Sequence, residues 1–208
     1  MLLNLMALYE KYNMNVEGVL HVGGHFGQEA SLYNNLNIKN AIFFEPMKTS
    51  FSVCERAASK YDYDSVNLAL GSEESQLDMY TETANMGQSS SLLKPSLHSE
   101  QYPHILFNGS ETVDVVTLDS FMEDKLISNF NFINIDVQGY ELEVFKGATN
   151  TLDSMDYIIA EVNRDELYEN CARVDEIDSF LSQWGFERKE TNWEGQTWGD
   201  AFYIKADR

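Results

Sequence analysis

The sequence predicts an α/β fold, a mostly parallel sheet with helices on both faces. Three observations predict it. Short apolar runs alternate with helical patterns along nearly the whole chain. Runs such as AIFF (41–44), FNFINI (130–135) and YIIAEV (157–162) are apolar almost throughout, as strands buried on both faces must be. The last two strand-like runs follow each other with no helix between them, so they pair as a hairpin and the final strand runs antiparallel.

The elements follow in order. MLLNLMALYEKYNMN (1–15) lacks a basic leader and has Glu10 and Lys11 after its apolar part, so it reads as an amphipathic first helix and not a signal peptide. Val16–Val22 is a strand, Gly27–Leu36 a helix, Ala41–Phe44 a buried strand, Thr49–Lys60 a helix and Ser65–Leu70 a third strand. About sixty residues then break the rhythm before Phe130. Two strand-like pieces, Gln76–Tyr80 and Val113–Leu118, lie at the ends of this weakly periodic stretch. The insert, 72–115, leaves from the carboxyl end of a strand, where open α/β sheets bind ligands, and reads as a lid or binding loop. Phe130–Ile135 is the fourth strand, with a helix through Glu141–Leu152. Tyr157–Val162 is the fifth strand, with a helix through Val174–Trp184, and Gly185–Asn192 and Asp200–Lys205 form the closing hairpin. The length of 208 residues suits one domain.

Charge narrows the function. There are 34 acidic and 14 basic residues, a net charge of −20. A nucleic-acid binder needs a cationic footprint, and no Lys/Arg cluster supplies one. An anionic membrane surface is disfavoured for the same reason, and no apolar run is long enough to span a bilayer. Cys54 and Cys171 suit a reducing, cytoplasmic setting without a disulfide frame.

The stretch VLHVGGHFGQEA (19–30) carries Gly23, Gly24 and Gly27 between a strand and a helix. Glycine permits positive φ and close approach of the backbone to a ligand. The spacing is not the G-x-G-x-x-G of dinucleotide sites. The strand AIFFEP then delivers Glu45 and Pro46, and an acid at the end of a second strand is placed to accept both ribose hydroxyls of an adenosine. The third strand ends in NLALG (67–71), where Asn67, Ala69 and Leu70 lie under an adenine ring or form a plain buried strand. Order and spacing together favour an adenosine-containing cofactor.

With VLHVGGHFGQEA, FFEP, NLALGSEES, SSSL, VTLDSF, INIDVQGYELEVFKGATNTL, IIAEVN and WGDAFYIK in this order, the chain resembles the FkbM-type methyltransferases from about Val16 to Lys205. The resemblance implies a Rossmann-like seven-stranded sheet with an antiparallel last strand, S-adenosyl-L-methionine as cofactor, and O-methylation of a hydroxyl on a sugar, glycan or natural-product unit. It places His21, Gly23, Gly24, His25, Gly27, Glu29, Glu45, Pro46, Asn67, Ala69, Leu70, Ser90, Asp136 and Val137 at the cofactor. Four departures stand out. His21 occupies the position where an acid usually helps hold the methionine ammonium, His25 replaces a more usual Asn, Gln138 stands where Glu is common, and Asn134 where Lys is often seen.

Methyl transfer to a hydroxyl needs alignment and a base. Asp136 ends the fourth strand and is the first candidate, against a reading as a helix or turn cap. Glu161 is the second, against an ion pair with Arg164. His25 and His21 are the alternatives, against structural roles. Gln138, Asn163, Arg164, Tyr102, Trp193 and Trp198 are candidates for the acceptor, with Trp193 expected at the pocket mouth and Trp198 equally suited to plugging the core. His98 and His104 match no metal-ligand spacing, and no metal is expected. Monomer and homodimer stay open. A catalytically impaired cofactor-binding partner protein is the runner-up, and an NAD-linked oxidoreductase comes third, lacking the fingerprint glycines.

Overall fold

The computed structural model describes residues 1–206. Its strands, in chain order, are β1 (Gly18–Val22), β2 (Asn40–Phe44), β3 (Asp64–Val66), β4 (Ala69–Leu70), β5 (Ser75–Thr81), β6 (Gly109–Val116), β7 (Phe132–Ile135), β8 (Tyr157–Asn163), β9 (Phe186–Glu194) and β10 (Trp198–Lys205). The helices are α1 (Leu5–Tyr12), α2 (Ala30–Asn35), α3 (Lys48–Ala58), α4 (Leu97–Gln101), α5 (Leu118–Met122), α6 (Glu141–Lys146), α7 (Thr149–Ser154) and α8 (Val174–Ser182).

A seven-stranded sheet has the order β3-β2-β1-β7-β8-β10-β9. All neighbours pair in parallel except β10, which is antiparallel to both β8 and β9. Every residue of β1, β7 and β8 is buried, which is why their sequences are apolar except at His21, Asn134, Glu161 and Asn163. On one face, Leu20, Ile133, Ile158 and Tyr203 pack with Phe145, Leu152, Ile177 and Leu181 of α6–α8. On the other, Val19, Phe43, Phe132, Ile159 and Phe202 pack with Leu5, Leu8, Tyr33 and Cys54 of α1–α3. The edge strand β9 exposes Glu187, Arg188 and Lys189, charges that discourage pairing with another chain.

Three sequence expectations change. The third strand is two: β3 joins the main sheet, whereas β4 pairs with β6 in a separate sheet of order β4-β6-β5. The helix expected over Glu141–Leu152 breaks at Gly147 into α6 and α7. The helix expected over Gly27–Leu36 begins only at Ala30, because the Gly27–Glu29 segment is a turn. The insert supplies β5, α4 and most of β6, and residues 82–108 form one wall of the cavities described below. Among the described residues, no helix is long and apolar enough to cross a membrane.

Gly147 breaks its helix for a reason of space. A Cβ there would lie 2.0 Å from the Gly71 carbonyl oxygen, at the start of the insert. Gly147→Ala is expected to cost about 1–3 kcal/mol by forcing α6 away from that backbone. Urea unfolding checks this, and a variant as stable as the parent would contradict the contact.

Candidate active site

The strand order reverses between β1 and β7, and a crevice opens there at the carboxyl ends of the strands. The backbones come very close. Gly23 has φ +84°, and a Cβ on it would lie 1.9 Å from the Asp136 carbonyl oxygen. Only glycine fits. The amides of Gly23 and Gly24 both donate to the Phe44 carbonyl, at 3.0 and 2.8 Å. The glycine turn therefore grips the end of the neighbouring strand, and these two N–H groups are not free to cradle an anion.

That grip presents Glu45 at the rim of a narrow, mainly apolar slot of about 60 Å³, walled by Val22, Phe44, Ala69, Leu70, Val137 and Tyr140. Glu45 is buried; its Oε2 accepts from the His25 amide at 2.7 Å and its Oε1 from the Met47 amide at 2.8 Å. Burial pushes its pKa up to about 7, against the pull of those two amides. The slot thus joins an apolar wall to the Glu45 carboxyl group, a hydrogen-bond acceptor when ionised. Pro46 and Ser90 also line it.

A larger cavity of about 580 Å³ adjoins the slot. Gly23, His25, Gln88, Asp136 and Gln138 line both. At the junction, Gln138 Nε2 donates to Asp136 Oδ1 and to Glu161 Oε2, each at 2.8 Å. Its Oε1 accepts from the Tyr168 hydroxyl at 2.9 Å, and its backbone sits at φ 55°. Glu141, fully buried, holds this turn from below: its Oε1 accepts from the amides of Val137 (3.0 Å) and Gly139 (3.2 Å). One oxygen each of Asp136, Glu141 and Glu161 lies within 4.8 Å of the others. Burial first, then the charges of Asp136, Glu141 and Asp200 and a hydrogen bond with Asp136, raise the Glu161 pKa well above the usual carboxylate value. Burial likewise raises Glu141. No Lys or Arg stands among the described residues lining either cavity.

The structure brings His21, Gly24, Glu29, Tyr102 and Trp198 to the larger cavity with Asp136, Gln138 and Glu161. Tyr102 and Trp198 pair on its wall, the indole Nε1 donating to the phenol oxygen at 3.0 Å. Other candidates land elsewhere. Asn67 lines neither cavity; its Nδ2 donates to the carbonyls of Glu45 (2.9 Å) and Pro46 (2.8 Å), so it braces the strand end. Gly27 likewise lines neither, and its φ of +70° serves the turn into α2. Asn163 is completely buried. Trp193 packs on the opposite core with the Arg164 guanidinium 3.7 Å above its ring, so neither is at the pocket mouth, and Arg164 forms no ion pair with Glu161. His25 is not a free base: Nδ1 accepts from Gln28 Nε2 (3.0 Å), which leaves Nε2 to donate to the Met86 carbonyl (2.9 Å). The residues that sequence reasoning missed are Glu141, Tyr168, His98 as a wall residue, and Asp200. Only Glu141 had a signal, its place five residues after Asp136 in the IDVQGYE stretch.

A family model of the methyltransferase FkbM domain matches residues 21–188. The chain belongs to this family. A relative, 2-O-methyltransferase NoeI of Sinorhizobium fredii, is 25% identical over 158 residues, 73% of this chain and 65% of NoeI. Hexuronic acid methyltransferase AglP of Haloferax volcanii is 38% identical over 55 residues, 26% of this chain and 23% of AglP. The chain thus spans less than two thirds of either relative's length. Among solved structures, magnesium protoporphyrin IX methyltransferase ChlM of Synechocystis, with bound S-adenosylmethionine, aligns with TM-score 0.53 at 9% identity, covering 97% of this chain and 76% of ChlM. TrmK of M. capricolum, with S-adenosylhomocysteine, aligns with TM-score 0.54 at 10% identity, covering 99% and 70%. These show that this FkbM chain shares their fold.

The Glu45 carboxyl yields a pH test. Its folded pKa lies above the unfolded one, so its contribution to stability is full below about pH 4.5 and is lost as the pH rises through about 7. Glu45→Gln should flatten the fall in stability between these values, by up to about 3 kcal/mol for a shift of this size. Urea unfolding of both proteins across this range checks it, and parallel profiles would contradict it.

Proposed function

We propose that this protein is an S-adenosylmethionine-dependent O-methyltransferase whose acceptor is a hydroxyl of a sugar or glycan. One observation carries the reading: the apolar slot beside Glu45 and the larger cavity meet at Asp136 and Gln138, which line both. Glu45 would hold the ribose diol, and Ala69, Leu70 and Val137 the adenine, with the large cavity left for the acceptor. The names of the two relatives, a 2-O-methyltransferase and a hexuronic acid methyltransferase, support a sugar hydroxyl. The fold shared with proteins that bind S-adenosylmethionine and its product supports the cofactor.

When bound, S-adenosylmethionine supplies an electrophilic methyl group on a sulfonium. The chain supplies position and proton handling. Asp136 takes the proton of the acceptor hydroxyl. Gln138 holds Asp136 and Glu161 at a fixed separation, because both hydrogens of its amide are used, one on each carboxyl. Glu161, buried and hydrogen-bonded to Asp136, braces that carboxyl rather than serving as a second base. The wall formed by Tyr102 and Trp198 offers apolar ring surface suited to the C–H face of a sugar. The insert residues Gln88, Ser89 and His98 line another side of the cavity.

A second reading, a cofactor-binding partner protein without catalysis, draws on His21 in place of an acid. Calorimetric titration with S-adenosylmethionine, S-adenosylhomocysteine and NAD, followed by methyl transfer to candidate saccharides, separates the readings. Asp136→Asn keeps the shape and removes the base. Turnover should fall by roughly 10²–10⁴ while S-adenosylhomocysteine affinity stays within about threefold. A large loss of affinity with near-normal turnover would make Asp136 a cofactor ligand instead.

A further inference from the structure

One corner of the larger cavity is built of rings, and its imidazole has no partner. His98, on α4 of the insert, is buried and lines the cavity. Its backbone is pinned from outside the insert: the amides of Ser96 and His98 both donate to the Leu167 carbonyl, at 2.8 and 3.1 Å, in the loop after β8. Its ring packs among Tyr102, Phe107 and Tyr168, with centroids 5.0, 5.3 and 5.4 Å away. The imidazole is therefore held in one place. Yet its ring makes no hydrogen bond among the described residues: Nδ1 is enclosed by protein without a partner, which leaves Nε2 to meet a molecule in the cavity. Burial lowers the His98 pKa, so the ring is neutral at pH 7. Buried polar groups of folded proteins are as a rule paired, and an orphan on a cavity wall points to a ligand that pairs it.

The charges around this corner narrow what that ligand is. Glu29, Asp136, Glu161, Glu194 and Asp200 line the cavity, and no Lys or Arg does among the described residues. The Met1 amino group is also on the wall, but its charge is offset by Asp200, whose Oδ2 accepts from the Leu2 and Leu3 amides. A carboxylate brought into this cavity would lose its water among like charges and find no side-chain cation. A sugar hydroxyl both donates and accepts, so it can pair with Nε2 whichever ring nitrogen carries the hydrogen. The rings of Tyr102 and Trp198 stand on the same cavity wall and suit the C–H face of that sugar.

Resting on the saccharide reading above, we infer that the acceptor unit in this cavity is an uncharged sugar, and that His98 selects it through a hydrogen bond at Nε2 while Tyr102 and Trp198 face its C–H surface. His98 is then a specificity-determining residue supplied by the insert. The acids on the wall work against a uronic acid in the same place.

Initial rates with S-adenosylmethionine and two matched pairs of methyl glycosides, glucoside against glucuronide and galactoside against galacturonide, test this on the parent protein. The hexoside of a pair should have a kcat/KM at least about tenfold above that of its hexuronide. His98→Phe keeps the ring packing and removes both nitrogens. It should raise the KM for the better hexoside about threefold to tenfold, with kcat and S-adenosylhomocysteine affinity within about twofold of the parent's. A merely structural role would not separate KM from cofactor affinity. A hexuronide used as well as its hexoside, or a His98→Phe variant that keeps both the parent's KM and its cofactor affinity, would overturn the inference and leave saccharide methylation standing. If His98→Phe loses S-adenosylhomocysteine binding, the parent's preference within the pairs decides alone. Transfer to no member of either pair by a parent that binds S-adenosylhomocysteine would instead bring down the saccharide reading, and the inference with it.

Discussion

The approach of the β1 and β7 backbones at the sheet's reversal point is the constraint on which the site depends. With 1.9 Å between a hypothetical Gly23 Cβ and the Asp136 carbonyl, no side chain fits between the strand ends. The chain must turn there with a glycine, and its two amides close on the Phe44 carbonyl. That closure fixes where β2 ends, and so where Glu45 stands. It also lets the His25 amide reach Glu45 while the Asp136 amide reaches the Val22 carbonyl at 3.0 Å. Slot, junction and cavity are consequences of a single close contact between parallel strands.

The second organising feature is an acidic site with no Lys or Arg among the described residues on its walls, where the one formal positive charge is the Met1 amino group. Acidic side chains converge on the junction, and the two cavities contain no basic side chain among the described residues. The chain manages this with a neutral bridge and with protons. Gln138 spends its whole amide on two carboxyls and a phenol. Burial and the neighbouring carboxyls raise the Glu161 pKa, and a hydrogen bond ties it to Asp136. A guanidinium in place of the Gln138 amide would hold both groups ionised and leave no proton donor. The cationic sulfonium chemistry proposed here suits an anionic, Lys- and Arg-free site.

The parts of the fold visible in the sequence were those set by local pattern. Nearly continuous apolar runs gave away the central strands, and the absence of a helix before Asp200 gave away the antiparallel closure. Glu45 and Asp136 were legible because they end such strands. What escaped detection depends on partners distant in the chain. The third strand divides because Ala69 and Leu70 pair with β6, some forty-five residues on. The engagement of His25 rests on Met86, in the insert. The two tryptophans exchanged their expected roles because register decides the face: in the closing hairpin Trp193 pairs with Gly199, and Trp198 with Glu194, so they point to opposite sides of the sheet. No local signal carries that parity.

The most direct test of the account is a crystal structure of this protein with S-adenosylhomocysteine. The account places the adenine between Leu70 and Val137, the ribose hydroxyls on Glu45, and the sulfur facing the Asp136–Gln138–Glu161 junction. Ligand density outside the slot, or a ribose held by any group other than Glu45 with the sulfur turned away from Asp136, would contradict it.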